Sequence, residues 1–338
     1  MVGVETNDML GPQWLAHRYD ESTDQIRFVD FDRATRATVP FLIDQHLPPK
    51  PFRAESRASA KQLAPATSPV HFVFHSGFCC STLLASCFDQ PGLATSFSEP
   101  MILNDVIGWR KRGADPAAVG QLLDDSLALL ARPFAGDAAA VVKPSTVVNG
   151  LAMAMMRLRP ESHAILIHAP LRDFLISIAK KGIDGRLWAR ELFISMRREG
   201  LTQRLGFDDE AFFGQTDLQI AASAWLLQQA LFADLAQAFP GRVRTIDSKR
   251  FLAAPADTIR AAAKLFGLAL TDVQLDAALS GPMQRNSKDG AAYDRAAREA
   301  DYAMALGLHE DEIMKVEAWA QAVAKAAGIT IELGQPLV

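Results

Sequence analysis

The feature that most constrains this chain is the stretch from His71 to Phe88, HFVFHSGFCCSTLLASCF. Its first residues form an apolar run rich in β-forming side chains, which predicts a buried strand. Gly77 then permits a backbone turn that is closed to other residues, and Ser81 and Thr82 open a helical segment. Such a turn presents unpaired backbone N–H groups at the start of a helix, where an anion is favoured. The stretch therefore predicts a phosphate or sulfate cradle over residues 76–82.

This cradle departs from the general P-loop pattern GxxxxGK[ST]. Cys80 stands where the second glycine of that pattern would be, and Ser81 stands where its lysine would be. A plain strand-to-helix turn with a capping serine fits the same residues. The loop alone leaves both interpretations open.

Two further segments repeat the order of strand and then helix. AAAVVKPS carries Lys143 at the end of a predicted strand, and AILIHAP precedes an apparent helix, LRDFLISIAKKG. Successive units of this kind predict a parallel sheet with right-handed crossovers. Ligands of open α/β sheets bind at the carboxyl ends of the strands. We therefore expect the cradle, Lys143 and the turn from His168 to Ser177 to share one edge.

The flanking segments predict the domain organisation. Residues 1–67 are expected to form an N-terminal extension of short strands or a hairpin, which ends in a linker rich in proline, serine and alanine. An α/β domain is expected over residues 68–338, with a helical insert at about 184–235 and helices at its carboxyl end. The arginines of the insert fit either a solvated helix face or an acceptor-binding surface.

Composition narrows the function classes. A net charge of −4 over 338 residues gives no electrostatic footprint for nucleic acid. The three cysteines lie in or beside the cradle without metal-ligand spacing, so reduced thiols are expected and a zinc site is not. No secretory signal pattern and no apolar run long enough to span a membrane occur, which predicts a cytoplasmic location.

The order of these motifs resembles the sulfotransferases that use 3′-phosphoadenosine 5′-phosphosulfate. The likeness rests on FVFHSGFCCSTLL, SEP, VVKPS, ILIHAPLRDFLIS, and FLAAP–LFGL with RNSKDG, which together span Phe72 to Gly290. It is most similar to the bacterial and Golgi-type members with a glutamate base. The resemblance implies a P-loop-like, three-layer α/β fold with a parallel sheet between helices. It also implies sulfuryl transfer from that donor to a hydroxyl or amine of a small-molecule, glycan or peptide acceptor, without a metal.

The resemblance implies roles for individual residues. Glu99 would be the base, Lys143 would stabilise the transferred group and the leaving oxygen, and His75 is a further catalytic candidate. Since Glu99 directly precedes Pro100, its backbone is expected to be extended. The expected donor-binding residues are Ser76, Gly77, Phe78, Cys79, Cys80, Ser81, Thr82, Arg172, Ser177, Arg285, Lys288 and Gly290.

The chain departs from the family pattern at its cations. Depending on the alignment, Phe78 or His75 stands where the family loop has lysine or arginine. Ala169 replaces the arginine of the family's 3′-phosphate turn, which leaves Arg172 or His168 to supply that charge.

Two other functions stay open on the sequence. One is a P-loop kinase, with Asp247 as the only candidate magnesium ligand at a strand end. The other is a nucleotide-binding relative that has kept the fold and lost the chemistry. Nothing in the sequence names the acceptor or the oligomeric state.

Overall fold

The computed structural model describes residues 11–47, 52–63, 68–284 and 295–338, without the side chains of residues 295–299 and 301. Three of the expected donor-binding residues, Arg285, Lys288 and Gly290, lie outside the described residues.

The strands fall into two sheets. They are β1 (Trp14–Asp20), β2 (Gln25–Asp30), β3 (Phe52–Ser56), β4 (Val70–His75), β5 (Ala94–Ser98), β6 (Ala139–Lys143), β7 (Ala164–His168) and β8 (Val243–Asp247). The first three form a small antiparallel sheet, and the other five form a parallel sheet.

Helices connect and cover the strands. They are α1 (Arg33–Arg36), α2 (Arg57–Gln62), α3 (Ser81–Ser86), α4 (Met101–Lys111), α5 (Pro116–Leu130), α6 (Ala152–Leu158), α7 (Leu171–Lys180), α8 (Gly182–Arg198), α9 (Asp209–Phe213), α10 (Asp217–Ala238), α11 (Ser248–Ala253), α12 (Pro255–Leu265), α13 (Asp272–Ser280) and α14 (Arg295–Ala327). Short 3₁₀ helices cover Thr146–Leu151, Leu201–Leu205 and Pro282–Gln284. No helix in the described ranges has both the length and the apolar composition needed to cross a membrane.

The parallel sheet confirms the expected α/β architecture. Its spatial order is β5-β6-β4-β7-β8, so the first strand of the sheet along the chain lies at the centre. The second and third strands lie on one side of it and the fourth and fifth on the other. The chain therefore reverses direction across the sheet beside β4, and the crevice at such a reversal is where open α/β sheets bind ligands.

Helices cover both faces of this sheet, which gives three layers. Along β4, Val73 contributes to one apolar core, and Phe72 and Phe74 contribute to the other. This alternation follows from the two-residue period of a strand. The Val73 side is covered by α3 and α7 to α14, and the Phe72 side by α4, α5, α6 and the end of α10.

The antiparallel sheet packs on the α4 and α5 layer. Leu15, Ile26 and Phe28 share an apolar cluster with those helices, and Arg18 forms an ion pair with Asp105 of α4. β3 lies within the segment that the sequence predicts to be a linker, so that part of the prediction is wrong. β3 pairs with β2 at the edge of the sheet through its backbone, and four of its five side chains are exposed. An edge strand with exposed side chains has no apolar alternation to reveal it.

Candidate functional site

The carboxyl ends of three neighbouring strands bring the predicted residues together. β4 ends at His75 and leads into the loop of residues 76–80, β6 ends at Lys143, and β5 ends one residue before Glu99. Ser98 pairs with Lys143 in the register between β5 and β6. The loop, Glu99 and Lys143 therefore occupy the same edge, which the sequence predicts for the loop and Lys143.

The backbone is strained at this edge. Five non-glycine residues of the described ranges have positive φ, and three of them lie here: Phe78 at 52°, Cys80 at 62° and Glu99 at 53°. Left-handed backbone costs a non-glycine residue about 1–2 kcal/mol, and it recurs at functional sites, where the surrounding structure enforces it. The expectation of an extended Glu99 is wrong, because the chain turns sharply there from β5 into α4.

The loop presents backbone N–H groups as the sequence predicts for an anion cradle. Cys80, which stands in sequence where the P-loop pattern has its second glycine, precedes α3 in the left-handed conformation. Within the described chain, four N–H groups here have no hydrogen-bond acceptor: those of Cys79, Ser81, Thr82 and Leu83. Unpaired donors at the start of a helix suit a phosphate or sulfate group.

Lys143 and Glu99 form an ion pair beside this loop. The ammonium of Lys143 contacts Oε1 of Glu99, and the lysine side chain is only 1% exposed, against 20% for the glutamate. The Glu99 N–H also donates to the Lys143 carbonyl at 2.6 Å. The ring of Phe41, with its centroid 5.0 Å from the ammonium, covers the lysine. The carboxylate is thus the solvent-facing member of the pair.

His75 connects the loop to the strand that carries Lys143. The Gly77 N–H donates to Nδ1 of His75 at 3.2 Å, and Nε2 lies 2.9 Å from the carbonyl oxygen of Pro144. A backbone N–H can only donate, so Nδ1 is unprotonated and Nε2–H donates to Pro144. Glu99 Oε1 is 3.9 Å from Nε2. The imidazole is therefore neutral in this geometry and holds the start of the loop in place.

Phe78, one of the two loop residues that can align with the cation of the resembled family, packs into an aromatic cluster. Its ring centroid lies 4.8 Å from that of Trp188 and 6.0 Å from that of Phe174. Trp188 also covers Gly77, since a Cβ at that glycine would lie 2.8 Å from the indole Cη2. The loop residues themselves thus contribute no permanent positive charge to the cradle.

The second group of expected donor-binding residues lies on α7. The Ser177 hydroxyl donates to the Asp173 carbonyl at 2.8 Å and lies 2.5 Å from the hydroxyl of Tyr302 on α14. Arg172 is half exposed and forms an ion pair with Glu317, which lies about four turns further along α14 than Tyr302. The structure therefore does not direct Arg172 towards Ser177.

His168, the other candidate for the 3′-phosphate, ends β7. Burial lowers the pKa of its imidazole below the usual value, with an opposing effect from Asp247. His168 is therefore neutral near pH 7. Asp247 caps α11, where its carboxylate accepts the Lys249 N–H at 2.6 Å.

The arginines of the helical insert face carboxylates. Four of them form ion pairs: Arg186 with Asp217 and Glu312, Arg190 with Asp217, Arg197 with Asp209, and Arg204 with Asp234. Paired charges at half-exposed positions match the interpretation of a solvated helix face. They do not form an uncompensated basic surface for a polyanionic acceptor.

Sequence reasoning missed the groups that support the loop from distant elements. Asn149 donates to the His75 carbonyl at 2.9 Å and hydrogen-bonds with Gln228 of α10, and Trp188 and Tyr302 also contact predicted residues. The buried amides had one sequence signal, because a glutamine pair interrupts the apolar run AWLLQQALF.

The cysteines differ in accessibility. Burial raises the pKa of Cys79 to about 11 and that of Cys87 to about 12. Cys80 is partly exposed at the start of α3. Only one of the three thiols is thus accessible, and it lies within the cradle.

Comparison with known proteins gives structural similarity alone. No family model and no curated protein matches the chain. The sulfotransferase domain from the curacin biosynthetic pathway is 13% identical, with a TM-score of 0.41 over 67% of this chain and 81% of that one. The sulfotransferase domain from the Synechococcus PCC 7002 olefin synthase is 12% identical, with a TM-score of 0.39 over 69% and 84%. A sulfotransferase from Alicyclobacillus acidocaldarius is 15% identical, with a TM-score of 0.37 over 74% and 97%.

Proposed function

We propose that the protein is a sulfotransferase that moves a sulfuryl group from 3′-phosphoadenosine 5′-phosphosulfate to a hydroxyl or amine of an acceptor. The observation that carries the proposal is the Glu99–Lys143 pair beside a loop whose N–H groups lack acceptors. A carboxylate, a cation and an anion cradle meet at one sheet edge. These are the three parts that transfer of a charged group requires.

Glu99 is suited to act as the base. Its carboxylate faces solvent more than Lys143 does, so an acceptor hydroxyl can approach it. In the proposed step the proton of the acceptor hydroxyl passes to Glu99 while the acceptor oxygen bonds to sulfur. The bond between sulfur and the bridging phosphate oxygen breaks at the same time. General base catalysis of this kind contributes about 10²- to 10⁴-fold.

Lys143 is suited to stabilise charge on the leaving oxygen. Its ammonium is already desolvated, and electrostatic interactions are stronger where water is excluded. Contacts with Glu99 and with the ring of Phe41 orient the ammonium. Such preorganised charge avoids reorientation during the reaction.

The nucleotide end of the donor is assigned to the loop and to α7. The N–H groups of Cys79, Ser81, Thr82 and Leu83, with the two hydroxyls, would bind the 5′-phosphosulfate. Ser177 and Tyr302 would bind the 3′-phosphate, and this contact would distinguish the donor from ATP. Ser76 supports this side, because its hydroxyl accepts the Ala169 N–H at 3.2 Å.

The test begins with binding of the product nucleotide, 3′-phosphoadenosine 5′-phosphate. We expect it to raise the melting temperature of the wild-type protein and expect Ser81→Ala to reduce that shift. Ser86→Ala is the matched control, since Ser86 lies at the other end of α3 and donates to the Leu83 carbonyl. Stronger binding of magnesium ATP than of the bisphosphate would favour the kinase interpretation, and no shift at millimolar nucleotide would refute the proposal.

Transfer is tested separately with donor labelled in its sulfuryl group and a panel of phenols, sugars, alcohols and amines. Glu99→Gln is expected to lower transfer by about 10²-fold or more while nucleotide binding persists. Binding without transfer to any acceptor in the wild type would instead support a relative that has lost the chemistry.

A further inference from the structure

The proposed donor carries several negative charges, yet the loop that would hold its 5′ end has no cation. Phe78 is one of the two residues that can align with the lysine or arginine of the family loop, and its ring packs against Trp188 and Phe174. His75 is neutral because both ring nitrogens are committed to the backbone. Lys143 is paired with Glu99. A donor in this cradle therefore needs a positive charge from elsewhere in the chain.

Lys181 lies beside a residue of this loop. It follows the last residue of α7, about two turns beyond Phe174 and on the same side of that helix. Its ammonium lies 5.9 Å from the centroid of the Phe78 ring. That is near the limit for a cation–π contact, so the ring holds the charge beside the loop without neutralising it.

Three other cations of the helices on this side of the sheet are paired with carboxylates. Lys249 pairs with Asp173, Arg172 pairs with Glu317, and Arg186 pairs with Asp217 and Glu312. The Lys181 ammonium forms no ion pair with any carboxylate in the described ranges, and the residue is exposed. Its charge is thus available to a ligand at the loop, and its flexible four-carbon stem allows it to adjust to an anion.

We propose that Lys181 is the donor-binding cation of this site, displaced from the loop to the end of α7, where it binds the 5′-phosphosulfate of the donor. The inference rests on the proposed function. It accounts for the aromatic residue in the loop, because Phe78 supplies no charge but forms the surface on which Lys181 is held. The loop then contributes N–H groups, and α7 contributes both this lysine and Ser177.

A structural alternative predicts a different result. A lysine just after a helix also interacts favourably with the last carbonyl groups of that helix. In that role Lys181 would affect stability slightly and nucleotide affinity not at all.

The experiment compares Lys181→Gln, Lys181→Arg and Lys264→Gln by calorimetric titration with two nucleotides, adenosine 3′,5′-bisphosphate and adenosine 5′-phosphate. Lys264→Gln is the matched control, because Lys264 is exposed on α12 and the variant has the same net charge as Lys181→Gln. Melting curves without nucleotide verify that all variants are folded. We expect Lys181→Gln to weaken both nucleotides by about tenfold, the effect of losing one charge-assisted hydrogen bond, and expect Lys181→Arg to retain most of the affinity.

The outcomes separate this inference from the proposed function. Equal affinities for Lys181→Gln and Lys264→Gln, with clear wild-type binding, would overturn the role of Lys181 and leave the proposed function standing. Weakening of the bisphosphate alone would place Lys181 at the 3′-phosphate and would also overturn the assignment. If the wild type binds neither nucleotide, both the proposed function and the inference fail.

Discussion

Glu99 holds the ammonium of Lys143, and the glutamate does so from a left-handed backbone conformation directly before a proline. Two costs are combined in this pair. A charged lysine is removed from water, and a non-glycine residue occupies a conformation disfavoured both by its side chain and by Pro100. The local chain favours neither the burial of Lys143 nor the left-handed backbone of Glu99. The surrounding packing and the ion pair must therefore maintain both. This is the strained geometry expected where function rather than stability has determined the residue.

Removing the carboxylate is expected to destabilise the protein. Glu99→Gln leaves a buried ammonium without its counter-charge, which should lower the free energy of unfolding by about 2–4 kcal/mol in urea titrations. The control is Asp234→Asn, which breaks the exposed pair with Arg204 and should cost less than about 1 kcal/mol. Equal losses in the free energy of unfolding of the two variants would contradict the burial of the Lys143 ammonium.

Gly77 is expected to tolerate no side chain. Gly77→Ala places a methyl group 2.8 Å from Trp188 at a φ of 85°, so it should cost more than the roughly 1–2 kcal/mol of a left-handed alanine alone. Gly92→Ala provides the backbone cost without the clash, since its φ is 75° and no atom lies within 4 Å of the point that its methyl group would occupy. The difference between the two variants in chemical denaturation measures the contact with Trp188, and a difference near zero would contradict it.

Nucleotide discrimination is expected to depend on Ser177 and not on Arg172. Ser177→Ala should reduce the preference for adenosine 3′,5′-bisphosphate over adenosine 5′-phosphate, because the proposed 3′-phosphate contact includes this hydroxyl. Arg172→Gln should change the preference by less than about twofold, since the guanidinium is engaged with Glu317 on the exposed surface. Isothermal titration with both nucleotides gives the ratio. A loss of preference in Arg172→Gln but not in Ser177→Ala would instead indicate that Arg172 binds the 3′-phosphate.

Stability is expected to fall on acidification through His71. Burial, with a smaller effect from His163, lowers the pKa of His71 to about 4, and its ring stacks on Phe266. Because the unfolded chain binds this proton near pH 6.5, the stabilisation is complete above that pH and is lost as the pH falls towards 4.

The measurement for His71 compares wild type with His71→Phe by urea unfolding at several pH values. The wild type should lose about 3 kcal/mol more than the variant between pH 6.5 and pH 4. The histidines other than His163, which contacts His71, are common to both proteins and cancel in the difference. Parallel pH profiles would contradict the depressed pKa.

The parallel sheet could be predicted because its strands are buried on both faces and therefore read as short apolar runs. β4, β6 and β7 each show this pattern. The shared edge of the loop and Lys143 follows from the same logic, since parallel strands end at one edge, whereas the strand before Glu99 was not predicted. β3 could not be found this way, because backbone pairing to β2 leaves its side chains in solvent.

The rest of the site depends on how the helices pack. Trp188, Lys181 and Tyr302 reach the loop and Ser177 from helices that follow much later in the chain. Their helical periodicity shows which face is apolar but not which loop that face will cover. The tautomer of His75 was equally hidden, because it is determined by two backbone groups that only the folded chain brings together.

The position of Cys80 allows ligand binding at the anion cradle to be measured in the unmodified protein. The thiols of Cys79 and Cys87 are buried and stay protonated at neutral pH, whereas Cys80 is partly exposed in the middle of the anion cradle. A thiol reagent should therefore label the native chain once, and a bound nucleotide should slow that labelling by covering the loop. The rate of a simple alkylation then reports ligand binding without a fluorophore, a radioactive donor or knowledge of the acceptor.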